Sequence, residues 1–192
     1  GTAVLLAHLD GAAATPEFVL EETVGPVPCR VRAGGGHAEF EVPRLPAREP
    51  AATDIDLDAM ASALGLTAAE TRVSGWPAEQ WSAGNPFMVF PVRSLDAIRR
   101  CRVNVARFHE AFGGEHAAAF VFCRETSDAR NQFHARMFAP SMGIIEDPAT
   151  GGACGPLRCY LVRHRLVSGD AARRILNEQG VAMGAPRTIH IE

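Results

Sequence analysis

The sequence contains no lysine: all 19 of its basic residues are arginine. Within these 192 residues that excludes a Schiff-base lysine, a lysine-tethered pyridoxal cofactor and the phosphate-binding lysine of a Walker loop. Cysteine is sparse and odd in number: Cys29, Cys101, Cys123, Cys154 and Cys159 share no repeated short spacing. A disulfide scaffold or a four-cysteine zinc site does not fit that pattern; reduced thiols of a cytoplasmic protein do. His109-Glu110 and Glu115-His116 lack the His-Glu-x-x-His spacing of a helical zinc site, so no metal is expected. No apolar run reaches the length of a membrane span and no signal peptide is visible, so no membrane partner is expected. A formal charge of -3 gives no electrostatic footprint for nucleic acid.

What is present is an ordinary globular composition, with 47% hydrophobic and 21% charged residues, enough apolar surface to offset the entropy of ordering one large domain or two small ones. The chain opens on Gly1-Thr2-Ala3-Val4 as though already inside a helix, which predicts a piece of a longer protein. Residues 2–9 read as a helix apolar on every face but for His8, stable only when surrounded by protein. A strand is expected at 17–22. A hairpin follows, with Val27, Cys29 and Val31 alternating with Arg30 and Arg32, then Ala38, Phe40 and Val42 alternating with Glu39 and Glu41 across a turn at Gly34, Gly35 and Gly36. Residues 43–53, rich in Pro and Ala, read as a connection. Helices are predicted over 54–64, 94–100 and 103–112, and strands over 87–92, 117–123 and 133–139. A loop over 140–152 leads into a second largely apolar helix through Leu157, Tyr160, Leu161 and Val162, and 171–192 is strand-like. Strands around one apolar helix in each part predict an α+β fold with a weak pseudo-repeat, whose boundary falls in 76–85.

Residues 135–157 read A-R-M-F-A-P-S-M-G-I-I-E-D-P-A-T-G-G-A-C-G-P-L. Asp147 is expected in a loop just before a helix, and Thr150, Gly151, Gly152 and Ala153 at the helix start itself. Pro156 suits the first turn, where its missing N–H costs nothing. Unbonded N–H groups and the helix dipole make such a start a cradle for a carboxylate or phosphate. An acid beside it suits proton transfer on a carboxylate-bearing substrate. The plainer alternative is that Asp147 and Thr150 cap the helix while the glycines make a tight turn.

The segments A-R-M-F-A-P and G-I-I-E-D-P-A-T-G-G-A, with G-N-P-F-M-V-F-P-V at 84–92, resemble the signature of the phenazine-biosynthesis isomerase-like (PhzF-like) family, and the resemblance extends along essentially the whole chain. It implies a diaminopimelate-epimerase-like fold of two pseudo-symmetric halves, each a rolled, mostly antiparallel sheet around a central helix. Residues 1–80 would be the remainder of the first half and 81–192 the second. It further implies a homodimer and a cofactor-free enzyme that moves a proton on a small carboxylate-containing substrate, as in the isomerisation of trans-2,3-dihydro-3-hydroxyanthranilate. Asp147 then takes the role of the family's catalytic aspartate, and Thr150, Gly151, Gly152 and Ala153 form the substrate cradle. Gly152 stands where the family usually has serine. The family's principal glutamate and its Gly-His turn would lie upstream of Gly1, and its last strands beyond Glu192.

Asn85, in G-N-P, either donates a hydrogen bond to substrate or is a turn residue ahead of a strand. Arg136 either faces the site or makes a structural pair. Cys154 sits at the helix start, where a thiolate is favoured, and its A-C-G setting resembles the catalytic cysteine turn of related epimerases. Two further readings of function therefore stand beside the isomerase: an inactive small-carboxylate-binding fragment, and a cysteine-dependent racemase or epimerase using Cys154.

Overall fold

The computed structural model describes residues 5, 8–9, 17–32, 37–51, 54–114 and 116–192. The chain divides into two compact units, residues 1–45 and 46–192. The helix expected over 2–9 falls mostly, and the glycine turn at 34–36 wholly, outside the described residues.

In the first unit β1 (Glu17–Glu22), β2 (Gly25–Val31) and β3 (Ala38–Phe40) form an antiparallel sheet in sequence order. The period-two pattern acts as expected in β2 but not in β3, where Phe40, and Val42 just beyond the strand, stay exposed. Val27, Cys29 and Val31 are buried, while Arg30, opposite both Glu17 and Glu39, bonds their carboxylates at 2.6 and 3.2 Å. Those charges are exposed, so they contribute to register more than to stability.

The second unit runs β4 (Ala47–Glu49), α1 (Leu57–Ala63), α2 (Ala68–Thr71), β5 (Glu79–Ser82), β6 (Pro86–Pro91), α3 (Leu95–Arg100), α4 (Val105–Phe112), β7 (Ala119–Cys123), β8 (Phe133–Ala139), β9 (Ile144–Asp147), α5 (Cys154–Arg163), β10 (Ile175–Gln179) and β11 (Arg187–Ile191). The sheet order is β11-β10-β8-β7-β6-β5-β4, with β9 pairing the end of β8. The β6–β7 and β8–β10 pairs are parallel; the others are antiparallel. Asp56, Ser94 and Asn104 cap α1, α3 and α4 by accepting from backbone N–H groups at 3.0–3.1 Å, and Gly65, at φ +73°, ends the chain path out of α1.

Two segments expected to be irregular contain strands. Residues 43–53 include β4, which pairs with the edge of β5, and the stretch 140–152 includes β9. Both are strands of three or four residues, too short for a period-two pattern to emerge from sequence. Compactness divides the chain after Leu45, whereas the expected halves divide it near residue 80. Residues 46–80 join the second unit because β4 completes its sheet and Met60, Ala61, Ala63 and Leu64 are buried in the same apolar cluster as Phe90, Phe108 and Phe138.

The sheet is buried on both faces, and alternation sorts its side chains. Phe87, Val89, Phe120, Phe122, Phe133, Ala135 and Met137 pack with Leu157, Tyr160 and Leu161 of α5; Met88, Phe90, Val121 and Phe138 pack with α1, α3 and α4. Tyr160 anchors α5: its ring stands edge-on to Phe122, 5.5 Å between centroids, and its hydroxyl donates to the Pro77 carbonyl at 2.9 Å.

All seven residues of β8 are buried, including His134 and Arg136. Arg136 is a structural pair. Its Nε and Nη2 bond Glu146 of β9 at 2.8 and 2.7 Å, and its Nη1 donates to the Ile98 and Cys101 carbonyls at the end of α3 at 2.8 and 3.1 Å. One guanidinium therefore joins β8, β9 and α3. Glu146→Ala leaves that cation buried without its counter-charge and should cost about 3 kcal/mol, read as a lowered midpoint in urea unfolding.

Candidate active site

Asp147 is not in a loop but is the last residue of β9, opposite Met137. β8 and the sheet thus carry its backbone, a firmer placement than the turn expected from sequence. Its Oδ2 accepts the Thr150 hydroxyl at 2.5 Å; its Oδ1 has no bond from a described residue. Thr150 is buried and precedes a single 3-10 turn, Gly151–Ala153, that runs directly into α5.

The residue that sets this geometry is Gln179, at the end of β10. Its Nε2 donates to the Asp147 carbonyl at 2.7 Å and to Thr150 Oγ1 at 2.9 Å, while its Oε1 accepts from the Thr150 N–H at 3.1 Å. Gln179 is itself fully buried. Its donation to Thr150 Oγ1 leaves that hydroxyl's own proton to Asp147, so the three groups form one chain with a fixed direction. Gly180 follows at φ +76°, and a Cβ there would stand 2.4 Å from the Ala185 carbonyl oxygen and 2.8 Å from that of Pro148. Only glycine lets β10 end this close to the Asp147–Thr150 turn.

The cradle is smaller than expected. Thr150 N–H is engaged by Gln179, and Ala153 N–H bonds the Thr150 carbonyl at 3.2 Å. Among the described residues the N–H groups of Gly151 and Gly152 donate to no protein group, and both glycines have accessible surface. They are the donors available to a ligand at the head of α5. A Cβ at Gly152 would meet only Phe87 Cε2, at 4.0 Å, so this position has room for the serine usual in PhzF-like proteins. Asn85 lies two residues before Phe87, exposed in the bend ahead of β6, with no side-chain hydrogen bond to a described residue.

Cys154 departs from expectation. The head of a helix favours a thiolate, but this thiol is buried, donates to the Thr150 carbonyl at 3.4 Å, and is pushed up to about 12 by burial. Desolvation outweighs the helix dipole, so Cys154 is a protonated packing residue at neutral pH. Its chemistry does not support a cysteine-based epimerase. Among the described residues no group of three or more His, Cys, Asp or Glu is placed to hold a metal ion, and no helix is long and apolar enough to cross a membrane.

Sequence reasoning singled out Asp147 and Thr150, which the structure brings together, but not Gln179 and Gly180, which it places beside them. Gln179 sits 32 residues from Asp147, and a glutamine at the end of a strand carries no signal of its distant partner. Gly180 lies within 171–192, a stretch read from sequence only as strand-like.

A mixed α+β protein of the diaminopimelate-epimerase-like fold is what this architecture defines. Among solved structures it is similar to a predicted epimerase of Pseudomonas aeruginosa, with a TM-score of 0.74 and 26% identity over 99% of this chain and 64% of that one. The fold is also that of a PhzF-family phenazine biosynthesis protein of Bacillus anthracis, with a TM-score of 0.81 and 22% identity over 99% of this chain and 64% of that one. The chain belongs to the phenazine biosynthesis-like (PhzC-PhzF) family, whose model matches residues 1–192. An uncharacterised isomerase of Mesorhizobium japonicum is 36% identical over all of this chain, which spans 65% of that relative's length. The trans-2,3-dihydro-3-hydroxyanthranilate isomerase of Pseudomonas fluorescens is 33% identical over 59% of this chain and 37% of its own length.

The Gly180 contacts generate a stability prediction. Gly180→Ala must move backbone at Pro148 or Ala185 as well as adopt a left-handed conformation, and should cost about 2 kcal/mol or more. The thermal midpoint should fall, and the amide resonances of Asp147 and of residues 149–152 should shift while those of β6 and β7 stay in place.

Proposed function

We propose that this chain is the substrate-holding and acid/base-assisting part of a PhzF-like isomerase, which transfers a proton between carbons of a small carboxylate-containing metabolite without a cofactor. The observation that carries the reading is the Asp147–Thr150–Gln179 chain beside the unpaired Gly151 and Gly152 amides. The substrate carboxylate accepts from the two glycine N–H groups, where the dipole of α5 adds to their attraction. Thr150 holds one oxygen of Asp147, which leaves Oδ1 to face the reacting part of the substrate. Asp147 there takes up or returns a proton, or stabilises the charge that develops as a C–H bond breaks.

Transfer between two carbons needs one group that removes the proton and redelivers it at the second position. By resemblance to the family, that group is a glutamate supplied by sequence outside this chain, with Asp147 assisting. Asn85 donates a further hydrogen bond to substrate, and a homodimer is the expected assembly. The named isomerase relatives and the family signature support this reading; the odd number of cysteines with no disulfide pattern is what supports a cytoplasmic location.

The cradle is tested on the 192-residue chain with benzoate as the probe. The Gly151 and Gly152 amide resonances should shift saturably, and Gly152→Ser, which adds a hydroxyl where there is space, should tighten benzoate binding several-fold. No shift at either glycine overturns the cradle. The acid/base role is tested in the full-length protein by solvent-deuterium incorporation into the substrate. Asp147→Asn should slow it about a hundredfold or more, and Cys154→Ala should leave it within a few-fold of the parent. The opposite ordering would return the mechanism to the cysteine.

A further inference from the structure

On the sheet face away from α5 lies an open cleft of about 540 Å³, lined among others by Arg99, Arg102, Val103, His134, Arg136 and Glu146. None of residues 147–153 lines it, so it is not the cradle described above. Its charges do not balance. Arg136 and Glu146 neutralise one another, but Arg99 bonds only Ser127 Oγ at 3.0 Å, and Arg102 only the carbonyls of Arg99 and Cys101 at 3.1 and 2.8 Å. Among the described residues neither Arg99 nor Arg102 is paired with a carboxylate.

His134 brings the opposite kind of group. Its Nδ1 lies 2.6 Å from Oε1 of Glu178, the residue opposite it on β10. Burial alone would raise the Glu178 carboxyl, but the Ser127 N–H, His134, the Asn131 amide and the Asp128 N–H all donate to it and hold it below the usual carboxylate range. Burial likewise lowers His134, more than the contact with Glu178 raises it. Nδ1 faces the carboxylate and so carries the ring proton, and burial favours the neutral ring, in which Nε2 is a lone pair. That Nε2 is fully buried and has no partner among the described residues. A buried acceptor without a donor is costly.

We propose that this cleft binds a small oxyanion that retains an O–H group, of which hydrogen phosphate is the simplest. His134 Nε2 accepts the ligand's O–H, and the Arg99 and Arg102 guanidinium groups bind its charged oxygens. The combination is selective by construction. Two cations attract any oxyanion, but an acceptor that cannot donate repels one with no proton to offer, just as a site's unpaired polar group rejects an analogue lacking its partner. The ring is covered in this structure, and Arg99, on the cleft wall, is exposed and held by one hydrogen bond. Because Nε2 is covered, the cleft wall must open over the ring before the ligand touches it.

Phosphate and sulfate share size and shape but differ at neutral pH in the proton, so the pair is the direct test. Calorimetric titration of the chain at matched ionic strength should show phosphate bound about tenfold or more tighter than sulfate. The His134 Nε2 resonance should move with phosphate only. Arg99→Gln with Arg102→Gln, both at exposed positions, should weaken both anions together, and His134→Phe should remove the preference. Lactate against propionate asks the same of a hydroxycarboxylate, and a preference in that pair alone assigns the cleft to hydroxy acids. Equal binding within both pairs, no saturable binding at all, or a preference that moves no His134 signal would each overturn the proposal; the resonance readout needs no variant to fold.

Discussion

A strand covered on both faces cannot leave a polar side chain to solvent, and β8 is such a strand. Its sequence nevertheless places His134 and Arg136 on the face turned away from α5. Each must find its partner inside the protein, and each does so by drawing in a neighbouring element: Arg136 takes Glu146 from β9 and the carbonyls that end α3, and His134 takes Glu178 from β10. The pairing of these strands is thus fixed by charge as well as by backbone bonds. A slip of one residue would turn both side chains into the aromatic cluster over α5 and strand their partners.

The same constraint organises the candidate site. Glu178 and Gln179 are adjacent on β10, so pleating sends them to opposite faces. Glu178 accepts from His134, Asn131 and the Ser127 and Asp128 N–H groups, while Gln179 grips Asp147 and Thr150. Gly180 then lets the strand end against Pro148. Two functional-looking arrangements on different faces therefore share one five-residue strand, and a change in the seating of β10 would be felt in both.

Burial also decides which groups are reactive. Cys154 stands at a helix start, where local electrostatics favours a thiolate, yet its surroundings hold it protonated. The Gly151 and Gly152 amides keep their capacity to bind because the turn leaves them accessible, while those of Thr150 and Ala153 are consumed by the protein. Access to water and the partners already in place, more than position on the helix, separate these cases.

Much of this was legible in the residues. The β2–β3 hairpin, the strand at β8, the helices near 54–64, 94–100 and 103–112 and the opposite charges on the hairpin's outer face follow from short-range patterns, because those act over a few residues. The E-D-P-A-T-G-G segment identified Asp147 and Thr150 for the same local reason. Only tertiary structure decided that Asp147 ends a strand, that Arg136 is spent on Glu146, that Cys154 is silent, and that Gln179 directs the proton of Thr150. Each of these depends on a partner brought from a distant part of the chain, or on the water a fold excludes. A sequence pattern records neither, because side-chain periodicity specifies which face a residue occupies and not what meets it there.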